Sequence, residues 1–331
     1  MYAEVVSALD PASCPSGSIT RLQIEMIETG MGSPLRIPAL VARGRKDGPV
    51  FGLTSAIHGN ELNGIPVIHQ LIRSLDLSRL RGCVVGIPVL NIPGLLTQRR
   101  LFNDNRDLNH LFPGKADGHA SQLYAYRILE RIIRPMNVLV DLHTASFGRV
   151  NSLYIRADMT EPGAARMAYL QRPQIIVHNP PADGTLRGAA QDLGIPAITV
   201  EIGDPQRFQK EYIRQTLAGL RAVLADRGMI PRRPRSLGHM PVLCSHSYWQ
   251  YTDRGGLLEV LPRVTESLKK GAPIARLTDI YGEPICGYAA QEDGVVIGRA
   301  VNPIAQTGAR ILHLGVQAEP NDTRFQSREE K

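Results

Sequence analysis

The sequence is poor in the residues that mark several protein classes. Only 4 of its 331 residues are cysteines, and no two form a C-x-x-C pair, which argues against a disulfide scaffold and a cysteine-based zinc site. Aromatic residues make up 5% of the chain, and no known nucleic-acid-binding module is present. We therefore expect no nucleic-acid partner. The formal net charge of +7 better suits an anionic small substrate, or simply an arginine-rich solvated surface.

Long apolar runs are also missing. Nowhere do about 18 uncharged apolar residues follow one another, as a membrane-spanning helix would need. The N-terminal stretch also lacks a basic segment followed by an apolar run. These absences predict a cytoplasmic protein with no membrane partner. A hydrophobic content of 43% over 331 residues is enough for the core of one large or two ordinary domains.

Up to residue 230, short apolar runs alternate with segments of helical periodicity. Strands are predicted at 48–57, 83–91, 136–144 and 195–203, and helices at 61–75, 121–135 and 210–228. Such an alternation is typical of a layered α/β sheet. We therefore assign residues 1–230 to an α/β domain.

The pattern changes after a linker predicted at 231–238, which is rich in Pro and Arg. From 239 to 317, strand-like runs form a weak repeat, in which "GGLLEVL" resembles "DGVVIGR" and "GAPIARL" resembles "GARILHL". Two similar halves predict a small, pseudo-symmetric β barrel or sandwich. Residues 318–331 are polar, and we expect a frayed tail.

A candidate metal site lies where an apolar strand passes into a helix. His58 and Glu61 are three residues apart in this turn, and ligands in open α/β sheets bind beyond the carboxyl ends of strands. His143 follows another apolar run, "VLVDL", 82 residues after Glu61. A catalytic zinc usually takes three protein ligands, and two histidines with a glutamate form one known set. We therefore predict one zinc ion per chain, bound by His58, Glu61 and His143.

Hydrolysis at such a site also needs a group that takes a proton from water and returns it to the leaving group. Glu201 follows the apolar run "IPAITV" and precedes Ile-Gly, so its carboxylate is expected at the same sheet edge as His143. We predict that Glu201 is this base. The alternative is a surface glutamate at a strand end.

Four motifs in order, "HGNE", "RDLNHLFPG", "DLHT" and "TVEIG", resemble the succinylglutamate desuccinylase/aspartoacylase family. This family is a branch of the zinc-carboxypeptidase-like hydrolases, and the resemblance covers most of the chain. It implies a zinc-carboxypeptidase-like layered α/β domain with a mixed sheet, followed by a small all-β barrel-sandwich domain. It also implies that His58, Glu61 and His143 bind zinc, with Glu201 as general base and acid.

The resemblance carries further roles onto the segment around "RDLNHLFPG". Arg100 is similar to the family arginine that polarises the scissile carbonyl and stabilises its oxyanion, although the adjacent Arg99 remains a rival. Asp107 resembles the carboxylate that orients the first histidine ligand, or it caps a turn. Asn109 resembles the first member of the pair that holds the substrate carboxylate.

The sequence departs from the family pattern at His110, where the family usually has an arginine after the asparagine. A histidine has fewer donors and a charge that depends on pH, so a bidentate carboxylate clamp is lost. We expect the substrate group at this position to be neutral. Arg187, on a predicted helix before the Glu201 strand, either compensates as a substrate-contacting arginine or is a plain surface residue.

The C-terminal region also resembles the barrel-sandwich of biotinyl and lipoyl carriers. A carrier needs a lysine at a hairpin tip, and the segment "LTDIYGEPICGYAAQEDG" between the two halves has none. We therefore expect this region to narrow the active-site mouth or to form a homo-oligomer interface.

Together these features favour a zinc-dependent amidohydrolase, a deacylase that removes the acyl group from an N-acylated amino acid or related small amine. Two alternatives remain open. The same zinc site could serve a carboxypeptidase or an esterase, or the chain could be a non-catalytic small-molecule binding module.

Overall fold

The computed structural model describes residues 3–181, 184–232, 240–319, 322 and 324–325. Its strands are β1 Glu4–Val6, β2 Ser18–Glu28, β3 Pro34–Arg43, β4 Lys46–Ser55, β5 Arg81–Ile87, β6 Val138–His143, β7 Arg149–Asn151, β8 Leu153–Ala157, β9 Ile175–His178, β10 Ala197–Ile202, β11 Val242–Tyr251, β12 Gly256–Val260, β13 Ser267–Leu268, β14 Pro273–Thr278, β15 Pro284–Ala289, β16 Gly294–Ala300, β17 Ile304–Ala305 and β18 Arg310–Gln317. The helices are α1 Gly64–Arg73, α2 Ile92–Leu96, α3 Ala120–Ile128, α4 Pro162–Gln171, α5 Leu186–Asp192 and α6 Lys210–Asp226, with a 3-10 turn at Leu108–His110 and a π-helical turn at Leu129–Ile133.

The strands form one large mixed sheet and one small antiparallel sheet. The large sheet has 14 strands in the order β1-β2-β3-β5-β4-β6-β10-β8-β9-β11-β18-β16-β13, with β7 paired to β16. The small sheet has the order β15-β14-β12-β17. Strands β5, β4, β6 and β10 are adjacent and parallel, so their carboxyl ends meet at one edge. The α/β class with a mixed sheet is thus as predicted.

Helices cover both faces of the central strands because these strands are apolar on both faces. In β6, Val138, Val140 and Leu142 pack with residues of α1, α4 and α6, whereas Leu139 packs with residues of α3, α5 and the π-helical turn. Successive strand side chains point to opposite faces of a sheet. A buried parallel strand therefore has a nearly continuous apolar sequence.

The predicted boundaries differ from the observed ones by a few residues at most ends, and two of the differences have a clear local cause. The helix predicted at 61–75 begins only at Gly64, since the residues before it form the turn that carries the candidate ligands. The strand predicted at 83–91 ends at Ile87, and Asn91 caps α2 by accepting a hydrogen bond from the backbone N–H of Gly94 at 2.8 Å. Asparagine is common at the start of a helix because its short side chain can accept a hydrogen bond from a backbone N–H that has no partner within the helix.

The weak sequence repeat corresponds to two similar strand pairs. β12 pairs with β14 through Leu258 and Leu277, and β16 pairs with β18 through Val296 and Leu314. The two pairs belong to different sheets and share one apolar core.

This C-terminal region is also joined to the α/β region by strand pairing. β11 continues the large sheet beside β9, and β16 pairs with β7. The division into residues 1–230 and 239–317 therefore stays a prediction, and residues 233–238 of the predicted linker lie outside the described residues.

The tail predicted at 318–331 is described only in part. The frayed tail stays a prediction, although the ring of Phe325 lies 5.0 Å from the ring of His178 and packs against the core that contains residues of α1, α4 and α6. In the described part of the chain, no helix has the length and apolar content needed to cross a membrane. The cytoplasmic location stays a prediction.

Candidate active site

The carboxyl ends of β4, β6 and β10 bring the predicted site residues together around a cavity of about 320 Å³. His143 is the last residue of β6, and Glu201 lies beside it on β10, in register with it. His58 and Glu61 lie in the turn between β4 and α1. All four side chains line the cavity.

The turn that holds His58 and Glu61 packs closely against α2. A Cβ atom at Gly59 would lie 1.9 Å from the carbonyl carbon of Gly94, so only glycine permits this approach. The N–H of Glu61 donates to the carbonyl oxygen of His58 at 3.0 Å, which closes the turn. The local sequence therefore fixes the spacing of the two candidate ligands.

His58, Glu61 and His143 are buried, and their candidate ligand atoms lie within 4.8 Å of one another. Both imidazoles direct Nδ1 at Glu61, at 3.1 Å from Oε1 for His58 and 3.0 Å from Oε2 for His143. The His58 contact lacks hydrogen-bond geometry, so among the described residues this buried Nδ1 has no hydrogen-bond partner. An unpartnered buried imidazole nitrogen beside a carboxylate fits a metal ligand.

A carboxylate backs each histidine on its other ring nitrogen. Asp107 Oδ1 lies 3.0 Å from Nε2 of His58, and Asp141 Oδ2 lies 2.8 Å from Nε2 of His143. Such carboxylates fix the ring tautomer and raise the basicity of metal-ligating histidines. Asp107 also accepts from the backbone N–H of Asn109 at 3.1 Å, so the orienting and turn-capping arrangements predicted as alternatives are both present.

The orienting role of Asp141 was not predicted from the sequence. A signal was present, since Asp141 is the one charged residue in the run "VLVDL" and lies two residues before His143, on the same face of the strand. The Thr54 hydroxyl donates to its second oxygen at 2.7 Å.

The charges of the site favour a cation at its centre. Burial opposes ionisation of Glu61, but His58 and His143 hold its pKa well below the ordinary value. Burial also opposes protonation of His143, but Asp141 and Glu61 raise its pKa well above the ordinary value. Carboxylates and imidazoles in this arrangement are the nitrogen and oxygen ligands that zinc accepts.

Arg100, and not Arg99, faces the site. Its Nη1 donates to Glu61 Oε1 at 3.0 Å and to the Ser146 hydroxyl at 2.5 Å, while Nε donates to Asp107 Oδ2 at 2.9 Å. Arg99 is exposed to solvent and does not line the cavity. The Arg100 guanidinium is therefore fixed in orientation next to the candidate ligands.

Glu201 is largely enclosed, with 12% of its side chain exposed. The Asn151 amide donates to its Oε2 at 3.4 Å, and Arg156 Nε lies 3.8 Å from its Oε1. Burial raises the pKa of Glu201, and the neighbouring His143 opposes this effect. A carboxylate in such surroundings accepts a proton more readily than a solvated one.

Asn109 and His110 line the cavity on the 3-10 turn. The amide oxygen of Asn109 accepts from the backbone N–H of Leu186 at 3.0 Å, which leaves the amide nitrogen as its donor to a ligand. The His110 side chain is 60% exposed, and its Nε2 lies 3.9 Å from Asp107 Oδ2.

Arg187 is not a surface residue, because only 1% of it is exposed. It donates to the carbonyl oxygens of Asn179 at 3.1 Å and Pro180 at 3.2 Å, and to Gln191 Oε1 at 2.7 Å. Backbone carbonyls thus satisfy much of this buried guanidinium. It lines the cavity and also holds the segment before α5 in place.

Several further lining residues were not predicted from the sequence, among them Arg149, Arg156, Trp249 and His313. Trp249 lies on β11 and His313 on β18, so the C-terminal region forms part of the cavity wall. No spacing in the sequence indicates this, because the placement depends on pairing between strands that are far apart in the chain.

Comparison with known proteins gives the same family as the site motifs. Residues 47–227 match the model of the succinylglutamate desuccinylase/aspartoacylase catalytic domain. The chain is 26% identical over 298 residues to N-alpha-acetyl-L-2,4-diaminobutyric acid deacetylase of Halomonas elongata, with 84% of this chain and 85% of that protein covered. It is 28% identical over 242 residues to succinylglutamate desuccinylase of Yersinia enterocolitica, with coverages of 67% and 70%.

Solved structures share the fold. The product-bound ectoine utilization protein EutE (DoeB) from Ruegeria pomeroyi gives a TM-score of 0.82 at 20% identity, covering 92% of this chain and 98% of that one. A succinylglutamate desuccinylase/aspartoacylase from Rhodobacter sphaeroides gives 0.81 at 21% identity, with coverages of 95% and 100%. Since the family model spans more than half of the chain, this protein belongs to the succinylglutamate desuccinylase/aspartoacylase family.

Proposed function

We propose that this chain is a zinc-dependent deacylase that hydrolyses the amide bond of a small N-acylated amino acid or related amine. The observation that carries this proposal is the convergence of His58, Glu61 and His143, with Glu201 in register beside His143. The names of the curated relatives, a deacetylase and a desuccinylase, support the same reaction class.

A zinc ion held by His58, Glu61 and His143 would supply a Lewis acid and make a water molecule acidic enough to deprotonate near neutral pH. Glu201 accepts the proton from the attacking water and donates it to the leaving nitrogen. Arg100 donates to the carbonyl oxygen of the substrate as negative charge develops there. A fixed donor of this kind typically stabilises the transition state by about 3 kcal/mol.

The test combines metal analysis with turnover. We expect about one zinc per chain, and loss of bound zinc in the His58→Ala, His143→Ala double variant. Zinc retained at full occupancy in this variant would overturn the metal assignment.

The second arm screens N-acetyl, N-succinyl and N-formyl amino acids, esters and short peptides for product release. Glu201→Gln should keep zinc and the fold while turnover falls about 10²–10⁴-fold, as is typical for loss of a general base. Glu259→Gln, an exposed strand glutamate, is the matched control. Normal turnover in Glu201→Gln would exclude the Glu201 carboxylate as the base. A preference of the wild-type protein for peptides or esters would support the carboxypeptidase or esterase alternative.

A further inference from the structure

Among the described residues, four arginines but only two glutamates line the cavity. They are Arg100, Arg149, Arg156 and Arg187, with Glu61 and Glu201. Three of these arginines are engaged within the protein. Arg100 contacts Glu61 and Asp107, Arg187 donates to backbone carbonyls, and Arg156 donates to the Tyr154 hydroxyl at 2.9 Å. The cavity is therefore rich in positive charge, but these three guanidiniums already have partners within the protein.

Arg149 differs from the other three. Within the described ranges of the chain, its guanidinium has neither an ion pair nor a side-chain hydrogen bond, and its one recorded side-chain contact is with Trp249, 5.7 Å from the ring centroid. Arg149 is half-buried, so its charge is only partly hydrated. A partly buried cation without a counter-ion favours the binding of an anion.

The position of Arg149 is set by the strand that carries it. β7 pairs with β16 of the C-terminal region, with Arg149 opposite Ala300. Asn151, two residues further on the same strand face, donates to Glu201. One short strand therefore directs a free guanidinium and a partner of the candidate base towards the same cavity.

Trp249 and His313 form the wall beside Arg149, and the two carboxylates of the cavity, Glu61 and Glu201, attract its charge without forming an ion pair with it among the described residues. His313 stacks on Trp249, with ring centroids 5.0 Å apart and an interplanar angle of 11°. Burial, together with the charges of Arg156, Arg149 and Arg310, lowers the pKa of His313 well below its ordinary value. His313 is thus a neutral, flat surface among cations.

We propose that Arg149 binds a carboxylate of the substrate against Trp249, at a subsite separate from Asn109 and His110. The choice of ligands rests on the proposed deacylase function. A guanidinium can bind a carboxylate through two parallel hydrogen bonds, which the imidazole at 110 cannot. The carboxylate recognition that His110 lacks is therefore supplied by Arg149, and the group next to His110 can be neutral.

The carboxylate could belong to the amine half or to the acyl half of the substrate, and paired ligands distinguish the two. N-acetyl-L-alanine and N-acetyl-L-alaninamide differ only in the amine half. N-ethylsuccinamic acid and its primary amide differ only in the acyl half. Trp249 is the single tryptophan of the chain, so its fluorescence reports binding next to Arg149 directly, and calorimetry gives an independent dissociation constant.

Binding is measured on zinc-loaded Glu201→Gln protein, so that the ligands are not consumed. We expect one acid to bind roughly 10- to 100-fold more tightly than its amide, the range for a charge-assisted hydrogen bond, with a change in Trp249 fluorescence. Arg149→Gln in the same background should abolish this preference, and Arg149→Lys should restore only part of it because an ammonium lacks the planar fork.

Arg310→Gln is the matched control. Arg310 also lies over Trp249, at 5.6 Å, but it is exposed and does not line the cavity. Its removal should leave the acid-to-amide ratio intact. An acid preference that survives in Arg149→Gln would overturn the proposal, since the carboxylate would then bind the metal or another cation. An Arg149-dependent preference in a protein that releases no amine would support the subsite while refuting the deacylase function.

Discussion

The buried carboxylate of Asp141 offers a specific test of the candidate metal centre. It faces His143 Nε2 at 2.8 Å and accepts from Thr54 at 2.7 Å, so it orients the ring without touching the candidate metal position. In Asp141→Asn, the amide oxygen can still accept from the imidazole N–H, and the Thr54 hydroxyl can rotate to accept from the amide nitrogen. The substitution therefore removes the charge and keeps the shape.

Removing such a carboxylate typically weakens metal affinity about 10- to 100-fold. At about 1.4 kcal/mol per tenfold change, this corresponds to roughly 1.4–2.8 kcal/mol. Because Asp141 is fully buried, little screening by solvent reduces the effect. We expect the zinc dissociation constant, measured by competition with a chelator at neutral pH, to rise by this factor.

Asp226→Asn is the control, since Asp226 is equally charged but pairs with Arg166 on the protein surface. Circular dichroism on both variants separates a loss of fold from a loss of metal. Thr54→Val provides a second arm, because it keeps the Asp141 charge and removes only the hydroxyl that fixes it. An unchanged zinc affinity in folded Asp141→Asn would refute the orienting role.

Two further predictions concern the cavity. His110→Arg should raise kcat/KM for N-acetyl-L-aspartate relative to N-acetyl-L-asparagine by the equivalent of about 1.5–3 kcal/mol. Both substrates have the same α-carboxylate, so the ratio reports only on the side-chain group. An unchanged ratio would show that position 110 does not face the side chain of the substrate. The pKa of His313 lies well below its ordinary value of 6.5, so this residue takes up a proton at a higher pH in the unfolded chain than in the folded one. The free energy of unfolding should therefore fall as the pH drops below 6.5, by up to about 1.4 kcal/mol per pH unit. Urea titrations should show a flatter pH dependence for His313→Gln but not for the exposed His246→Gln, and equal slopes in wild type and His313→Gln would contradict this account.

The clustering of the candidate metal ligands could be predicted because its determinants are local. Buried parallel strands have nearly continuous apolar sequences. The end of each apolar run in β4, β6 and β10 therefore indicates, from the sequence alone, where the strand ends. His143 and Glu201 lie at those ends, and the turn after β4 holds the remaining ligands. Adjacency in the sheet then brings the ligands together.

The second half of the cavity could not be predicted, because it depends on pairing between distant segments. Trp249 and His313 face each other through the pairing of β11 with β18. Arg149 is placed by the pairing of β7 with β16, about 150 residues further along the chain. Local periodicity does not indicate which strand will pair with which. No feature of the sequence therefore distinguished Arg149 from the other arginines as a residue of the cavity.

The pairing of β7 with β16 also links the proposed carboxylate subsite to Glu201, the proposed base. Gly298 lies opposite Asn151, and a Cβ atom at 298 would lie 2.2 Å from the Asn151 amide oxygen, so the two strands approach closely only with glycine there. Asn151 in turn donates to Glu201, while Arg149 occupies the same strand face. A shift of the C-terminal strands would therefore move the proposed carboxylate subsite and a partner of Glu201 together. The C-terminal region is in this sense part of the candidate active site, because it holds in place the strand that carries Arg149 and Asn151, and a catalytic geometry depends on such precise support.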